Sequence, residues 1–360
     1  MSLSRLALCT RVRASILVLL VFSFAVSVPG ATLAAPQTTA VGPKVAAALE
    51  AAMIRADRAV GRTGLAVAVV ANDGRSWTDA NGLDDRGRAM DPQAPFVIGS
   101  VTKTFTAALV MALVDEGRIQ LDVPVTTYLP NVRMARGVTV RQLLTHTSGI
   151  SDLYRSRKWH LHNRPSVRLS SNDVLFSIGP RWFAPGAGYA YSNTNYFLLG
   201  HVIEAVSHRS FAQELERRFT GPMGLEHTRL LTSDDALLPA AWSSGFWTSG
   251  AMQSTPLELA AWGESLFRGR ALSYPSTRRM VNFNYGNRYG HGTQLFRIAG
   301  RDLPGHSGLL YSTTTLMVYL PAEKLTVVLT AKEPGIDLEA ALAGRFDGPS
   351  LLDVARGLAG

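Results

Sequence analysis

Ser100 and Lys103, three positions apart in the segment "SVTK", are the first pair of residues whose types and spacing could do chemistry. Residues three apart on a helix lie on the same face, so the lysine amine can reach the serine hydroxyl. Burial would lower the pKa of the amine and let it act as a base, which an arginine cannot do. Ser-x-x-Lys also arises by chance, and a capping serine followed by a solvated lysine is the alternative interpretation.

A second segment, "YAYSNTNY", places Tyr191 and Asn193 on either side of one serine, in a loop that precedes an apolar helix pattern. Residues i and i+2 in extended backbone point the same way. A perturbed tyrosine can shuttle a proton, and an asparagine amide can bind a substrate carbonyl while it holds the lysine. The alternative is an asparagine helix cap beside a tyrosine that packs in the core.

The third segment, "PGHSGLL", contains His306, Ser307 and Gly308 and leads into the C-terminal strand patterns. Glycine at this place would let a substrate backbone approach closely. The main-chain N–H of Leu309 could then pair with that of Ser100 as an oxyanion hole. His306 could add a hydrogen bond or a positive charge beside the leaving group, although a plain turn into a strand is the alternative.

Together and in this order, the three segments resemble the Ser-x-x-Lys, Tyr-x-Asn and Lys/His-x-Gly motifs of the penicillin-recognising serine hydrolases. The chain is similar to the branch that holds class C β-lactamases, secreted D-Ala-D-Ala carboxypeptidases and related esterases, over roughly residues 44–332. The resemblance implies a β-lactamase/transpeptidase-like α/β (α+β) fold. In that fold an antiparallel sheet built from both termini is flanked by helices and carries an inserted all-helical domain.

The resemblance also implies a role for each matching residue. Ser100 would be the acylated nucleophile, with Lys103 and Tyr191 sharing the general-base and general-acid steps. Asn193 would orient the substrate amide, and His306 stands where β-lactamases of this branch have lysine. The implied reaction is acyl transfer through an acyl-enzyme and then attack by water, with no metal and no cofactor. The other implied substrate-binding positions are Ser307, Gly308, Leu309 and Gln294.

Two departures from the family pattern bear on the substrate. The carboxypeptidases grip the substrate carboxylate with an arginine, but the alignment places Gln294 at that position, and strand alternation turns Arg297 to the other face. Leu309 replaces a small or hydroxyl residue. Both changes make the pocket less suited to a free carboxylate and more tolerant of neutral esters or amides. The third motif does not begin with lysine, which disfavours efficient β-lactam hydrolysis.

The leading hypothesis from the sequence is an exported serine hydrolase of the D-Ala-D-Ala carboxypeptidase type, acting on a peptidoglycan-type peptide and acylated by β-lactams. The alternatives are an esterase of the same family that hydrolyses small esters or amides, a weak β-lactamase, and a non-catalytic penicillin-binding or sensing protein. We expect a monomer. The formal charge of +9 is scattered along the chain without a basic run, so no nucleic-acid partner is expected.

Three histidines outside the motifs have simpler interpretations. His146, in "LLTHTSGI", is interpreted as a structural residue that stabilises a loop near the domain junction. His160 and His162 could bind a metal, but they lack a neighbouring carboxylate and are interpreted as surface residues.

The N-terminus has the pattern of an export signal. Arg5, Arg11 and Arg13 precede an apolar run of 15 residues, and small residues then suit cleavage after Ala34. The run is shorter than the roughly 20 residues that span a bilayer, although an uncleaved signal-anchor is the alternative. Removal of the segment would leave a charge of +6 and no cysteine, since Cys9 is the only one.

Hydrophobic periodicity predicts the elements that must position these residues. We predict a signal peptide over 1–34, a flexible leader over 35–43, a discontinuous sheet domain over 44–121 and 286–360, and an inserted helical domain over 122–285. Helices are predicted over 44–60, from near 100 to 117, and over 140–146, 196–207, 211–219, 256–269 and 337–345. Strands are predicted over 65–71, 76–80, 96–98, 291–298, 313–321 and 324–331.

Overall fold

The structure is a computed structural model that describes residues 38–61, 64–84, 86–156, 159, 165–285 and 287–359. Its ten strands in these ranges are β1 (Thr39–Ala40), β2 (Leu65–Ala71), β3 (Arg75–Asn81), β4 (Phe96–Val97), β5 (Arg229–Leu230), β6 (Met252–Ser254), β7 (Gln294–Ile298), β8 (Arg301–Leu310), β9 (Thr313–Leu320) and β10 (Leu325–Ala331).

Seven of these strands form one sheet, in the order β1-β3-β2-β10-β9-β8-β7. Strands from the two ends of the chain meet at its centre, where β2 pairs antiparallel with β10 and Leu65 lies opposite Ala331. The seven residues of β2 are all buried, as a strand covered on both faces requires. The predicted sheet built from both termini is confirmed, except that β1 pairs with β3 in parallel. Strands β4, β6 and β5 form a second, three-stranded sheet that was not predicted.

Helices cover both faces of the large sheet. They are α1 (Pro43–Ala59), α2 (Thr102–Asp115), α3 (Val140–Leu144), α4 (Ser171–Ser177), α5 (Asn193–Ser207), α6 (Phe211–Leu215), α7 (Ala240–Gly250), α8 (Pro256–Phe267), α9 (Tyr274–Met280), α10 (Leu338–Ala343) and α11 (Leu351–Arg356). Short 3-10 turns and one π turn, Glu216–Thr220, connect or extend some of them.

The alternation of β2 divides the core into two layers. Val67 and Val69 pack with α1, α10 and α11 on one face of the sheet. Ala68 and Val70 lie on the other face, in the cluster that contains apolar residues of α2, α5 and α8. The side chains of a strand point alternately to opposite faces, so this division follows from the strand itself. Helix α2, which follows the candidate nucleophile, is therefore buried between the sheet and the other helices.

Two elements near the candidate motifs differ from the predictions. His306, Ser307 and Gly308 lie inside the ten-residue strand β8, not at a strand end. Arg301, Asp302 and Pro304 interrupt the apolar pattern of that strand, which is why periodicity did not find it. Helix α7 was not predicted either, because its segment "AAWSSGFWTSG" is rich in serine and glycine.

Several predictions lie outside what the structure tests. The signal peptide over 1–34, together with His160 and His162, lies outside the described residues. The domain boundaries at 122 and 285 stay predictions. Within the described ranges, no helix is both long and apolar enough to cross a membrane.

Candidate active site

Ser100 lies in a one-turn 3-10 helix, Gly99–Val101, that leads directly into α2. Gly99 has a φ of 53°, a left-handed conformation that side chains other than hydrogen disfavour. This turn places the Ser100 main-chain N–H among the first N–H groups of a helix, which lack partners within it. The serine therefore stands at the positive end of a buried helix.

Lys103 is completely buried and points at Ser100. Its Nζ lies 2.9 Å from Ser100 Oγ, 2.8 Å from Asn193 Oδ1 and 2.6 Å from the Ser249 carbonyl oxygen. Burial lowers the pKa of Lys103 to about 7, and the nearby Asp152 carboxylate acts in the opposite direction. A lysine with this pKa can lose its proton near neutral pH, which an arginine could not do.

The Ser249 carbonyl reaches Lys103 because α7 is kinked two residues earlier. Trp247 has φ 35° and ψ −120°, far from helical values. The hydroxyl of Thr106, on α2, donates to the Thr248 carbonyl at 2.7 Å and holds the kinked segment against α2. A main-chain carbonyl leaves no signal in a sequence, so this contact could not have been predicted.

The neighbours of Lys103 fix the direction of its lone pair. The Asn193 Oδ1 and Ser249 carbonyl oxygens can only accept hydrogen bonds. A neutral amine keeps two N–H groups, and these two oxygens use both. Its lone pair then faces the third neighbour, Ser100 Oγ, and can accept the hydroxyl proton.

Tyr191 lies beside the same pair. Its phenol interacts with the Ser100 side chain, and Lys103 Nζ lies 4.9 Å from the centre of its ring. Burial raises the pKa of Tyr191 well above its usual value, so the phenol is protonated at neutral pH. A protonated phenol next to the nucleophile is a proton donor for a leaving group.

His146 holds the main chain on both sides of Tyr191. Its carbonyl accepts from the Ala190 N–H at 3.0 Å, and its Nδ1 lies 3.2 Å from the Ser192 N–H. The two rings lie 4.2 Å apart between centroids. Burial lowers the pKa of His146 well below its usual value, so the imidazole is neutral. These contacts agree with the structural role interpreted from the sequence.

Asp152 is a member of the site that the sequence did not single out. Its Oδ2 accepts from Asn193 Nδ2 at 3.1 Å, and the side chain is only 7% exposed. The residue follows the phrase "HTSGI" in a loop, 41 positions before Asn193. In the sequence, an aspartate in such a loop cannot be distinguished from a helix-capping residue. Only the fold brings its loop to the segment that contains Asn193.

His306 lies opposite Met317 of the neighbouring strand β9. Met317 belongs to the core cluster that contains α2, so His306 lies on the face of β8 that packs against this helix. Its Nδ1 lies 2.6 Å from the Ser307 carbonyl and must donate, because a carbonyl only accepts. Its Nε2 then accepts from the Tyr289 hydroxyl at 3.0 Å. Burial lowers the pKa of His306 to about 3, so the positive charge that the sequence allowed there is disfavoured.

The N–H of Leu309 meets the start of α2. A methyl group added to Gly308 would lie 2.1 Å from the Ile98 carbonyl oxygen and 3.2 Å from the Ser100 nitrogen, and one added to Gly99 would lie 2.9 Å from the Leu309 nitrogen. Only glycines permit this approach, which places two main-chain nitrogens side by side. Alternation turns the Leu309 N–H to the same edge as that of Ser307, away from β9.

Gln294, at the start of β7, contacts the same edge of β8 at Ser307. Its Oε1 accepts from the Ser307 N–H at 2.9 Å and from the Ser307 hydroxyl at 3.1 Å. Arg297, three residues along β7, instead pairs with Asp302 at 3.2 Å, as the predicted alternation requires. The structure therefore brings Gln294 to the third motif and keeps Arg297 away from it.

The arrangement can perform acyl transfer. Neutral Lys103 accepts the proton of Ser100 as the hydroxyl oxygen attacks a carbonyl, and the negative charge that develops faces the N–H groups of Ser100 and Leu309. The Tyr191 phenol then protonates the leaving group, and the Lys103 ammonium can resupply that proton. Attack by water on the resulting ester of Ser100 would reverse these proton transfers.

Comparison with known proteins agrees with this chemistry. The model of the Beta-lactamase family matches residues 49–347. Penicillin-binding protein 4* of Bacillus subtilis (strain 168) is 26% identical over an alignment of length 295, and the match covers 71% of this chain and 64% of that protein. Esterase EstB of Burkholderia gladioli is 32% identical over an alignment of length 198, and the match covers 50% of each chain. The chain thus spans half to about two thirds of the length of these curated relatives.

A solved structure of a D-stereospecific amidohydrolase from a Streptomyces species has the same fold. It superposes with a TM-score of 0.70 at 26% sequence identity, and the match covers 83% of this chain and 99% of that one. The esterase and the amidohydrolase carry the names of two kinds of hydrolase, which supports a hydrolase but no particular substrate. The family match spans most of the chain and includes all three motifs, so this protein belongs to the beta-lactamase family, the penicillin-recognising serine hydrolases.

Proposed function

We propose that this protein is a serine hydrolase that cleaves a neutral ester or amide through an acyl-enzyme on Ser100. The contact between Gln294 and Ser307 is the observation that favours a neutral substrate over one with a free carboxylate. A substrate carboxylate at the third motif would need a cation or free hydrogen-bond donors. Here the Gln294 amide oxygen already accepts from both the N–H and the hydroxyl of Ser307. Gln294 itself is uncharged, and burial holds His306 neutral.

Apolar side chains near the third motif also favour an uncharged substrate. Leu309 is 55% exposed and Tyr311 is 51% exposed, so both side chains are accessible to a substrate. The Tyr311 ring lies 5.8 Å from that of Trp242, which lies 5.5 Å from that of Phe246. The Phe246 ring stacks 3.8 Å from that of Tyr154, two residues after Asp152. This row of rings connects the end of strand β8 to the loop that carries Asp152, the hydrogen-bond partner of Asn193.

The D-Ala-D-Ala carboxypeptidase hypothesis is the second candidate. The His-Ser-Gly element and the similarity to penicillin-binding protein 4* support it. The similarity to esterase EstB and to the D-stereospecific amidohydrolase supports the first candidate, because this chain could share the reactions that those names describe. In both candidates β-lactams are expected to acylate Ser100, and slow hydrolysis of that adduct would make the protein a weak β-lactamase.

The experiment that separates the candidates compares two peptides that differ only in the charge of the C-terminal group, together with two other substrates. A peptide that ends in D-Ala-D-Ala and its C-terminal amide are compared with a nitrophenyl ester and a chromogenic cephalosporin, each against wild type and Ser100→Ala. We expect the ester and the peptide amide to be cleaved faster than the free acid, and Ser100→Ala to cleave neither. Faster release of D-alanine from the free acid would select the carboxypeptidase. A wild type that neither hydrolyses nor is acylated would indicate the non-catalytic alternative.

We further propose that the protein is exported, on the pattern of residues 1–34. Sequencing the N-terminus of protein recovered outside the cytoplasm should give a chain that starts at Ala35. Recovery of a membrane-bound chain with an intact N-terminus would indicate a signal-anchor instead.

A further inference from the structure

Asp152 is a buried acidic residue that belongs to none of the three motifs. Both of its carboxylate oxygens accept from N–H donors, Oδ1 from the Tyr154 main chain at 3.2 Å and Oδ2 from Asn193 Nδ2 at 3.1 Å. Two occupied acceptor oxygens are the pattern of an ionised carboxylate. The contact with Tyr154 caps a short 3-10 helix, Leu153–Arg155. The contact with Asn193 has no such local purpose.

The loop that carries Asp152 is fastened to the first turn of α5. The Thr194 hydroxyl donates to the Ser151 carbonyl at 2.8 Å and accepts from the Leu153 N–H at 3.0 Å. These two bonds tie the residues on either side of Asp152 to Thr194, which follows Asn193 in the chain. The position of the carboxylate against the Asn193 amide is therefore set by the fold and not by a free rotamer.

An asparagine amide has an oxygen end and a nitrogen end, and its neighbours decide which way it faces. The oxygen end of Asn193 accepts from Lys103 Nζ at 2.8 Å, and the nitrogen end donates to Asp152. Rotation of the amide by half a turn would place N–H against N–H on one side and oxygen against oxygen on the other. Asp152 thus holds the Asn193 oxygen on the lysine and leaves the second N–H of Nδ2 for a substrate carbonyl.

Among the described residues, Asp152 is also the charged group that acts on Lys103. The titratable groups that face the amine are His146, His306, Tyr191, Tyr196 and Asp152. Burial lowers the pKa of each histidine and raises that of each tyrosine, so all four are neutral near pH 7. Burial also raises the pKa of Asp152, against hydrogen bonds from Tyr154 and Asn193 and the charge of Lys103.

We propose that Asp152 is a positioning residue of this hydrolase, which fixes the Asn193 amide between lysine and substrate and stabilises the Lys103 ammonium formed when Ser100 loses its proton. The step moves one proton from the Ser100 hydroxyl to Lys103, and the carboxylate stays ionised throughout. Asp152 touches neither reacting atom. The catalytic part of this inference rests on the proposed function, whereas the effect on Lys103 can be measured without turnover.

The first test is NMR of the full chain labelled with ¹³C at the lysine Cε. The sequence has only five lysines, so Lys103→Arg identifies the Lys103 signal by its loss. We expect the Lys103 signal of Asp152→Asn to titrate at lower pH than in wild type, because the carboxylate no longer favours the ammonium. Asp337→Asn is the matched control, since Asp337 caps α10 by the same kind of bond. An unchanged Lys103 titration in Asp152→Asn would overturn the electrostatic role, whether or not the protein hydrolyses any ester.

The second test is a double-mutant cycle with the nitrophenyl ester. We expect Asp152→Asn to lower kcat/KM by about 10- to 100-fold, the usual effect of losing a hydrogen bond to a charged group. In an Asn193→Ala background the same change should have little further effect. Losses that simply multiply would contradict action through Asn193. Asp152→Ser keeps an acceptor for the Tyr154 N–H, so a loss of activity at unchanged Tm in this variant separates positioning from folding.

Discussion

Lys103 Nζ lies 2.9 Å from Ser100 Oγ, and the two other neighbours of the amine can only accept hydrogen bonds. A neutral Lys103 therefore directs its lone pair at the serine hydroxyl. Only five of the 36 lysine and arginine residues in the chain are lysines, and this relationship explains why one of them stands at position 103.

Replacement of the base should remove activity while the charge is kept. We expect Lys103→Arg to lower kcat/KM for a nitrophenyl ester by about 10²- to 10⁴-fold, the usual contribution of general-base catalysis. Lys324→Arg, at an exposed turn position, is the control and should match wild type. Full activity of Lys103→Arg would mean that another group takes the serine proton.

The pH dependence of acylation should report the buried lysine. Burial lowers the pKa of Lys103 to about 7, and only the neutral amine can act as the base. The rate constant kcat/KM should therefore rise with pH through about 7 and level off above it. A profile measured between about pH 5 and 9 that is flat, or that falls through pH 7, would contradict this assignment.

The phenol of Tyr191 should matter for catalysis and little for stability. Tyr191→Phe keeps the ring packed against His146 and removes only the hydroxyl. We expect kcat to fall by about 10²- to 10⁴-fold while the Tm stays within a few degrees of wild type. Tyr274→Phe, at a position that is 76% exposed, serves as the control. A Tyr191→Phe variant with the Tm and the kcat of wild type would exclude Tyr191 as the general acid.

The close approach of Gly308 to the start of α2 predicts a combined loss of stability and activity. A methyl group at this position would meet the Ile98 carbonyl oxygen at 2.1 Å, so the backbone must shift. We expect Gly308→Ala to lower the free energy of unfolding by about 1–3 kcal/mol, as overpacking does. Gly357→Ala, where an added methyl meets nothing within 4 Å, should be neutral in the same denaturant titration. A stable and fully active Gly308→Ala would contradict the oxyanion hole described here.

Gln294 should control the preference for uncharged substrates. Gln294→Arg would place a cation where the Gln294 amide now accepts the hydrogen bond of the Ser307 hydroxyl. It should raise kcat/KM for the peptide with a free carboxylate relative to kcat/KM for its C-terminal amide. Gln120→Arg adds the same charge at an exposed position and should leave the ratio unchanged. An unchanged ratio in Gln294→Arg would remove Gln294 from the account of specificity.

The fold was predictable where the local pattern and the tertiary environment agree. The strand over 65–71 was predicted with the bounds that the structure has, because an unbroken apolar run is what a central strand needs. The Ser100–Lys103 contact was also predictable, because helical spacing alone brings the two side chains together.

The remaining parts of the site depend on contacts between distant segments. Asp152 and Asn193 meet across 41 positions, and the Ser249 carbonyl reaches Lys103 across 146. Neither contact leaves a periodic signal, since one comes from a loop and the other from the main chain of a kinked helix. The neutral state of His306 could not be predicted either, because burial and the charge of Lys103, a residue distant in the chain, lower its pKa.

The most direct test of an acyl-enzyme on Ser100 is the mass of the protein quenched during turnover of a nitrophenyl ester, followed by peptide mapping. We predict that wild type gains the mass of one acyl group, that the modified peptide contains Ser100, and that Ser100→Ala gains nothing and is inactive. An acyl group on another residue, or turnover by Ser100→Ala at the wild-type rate, would contradict this prediction.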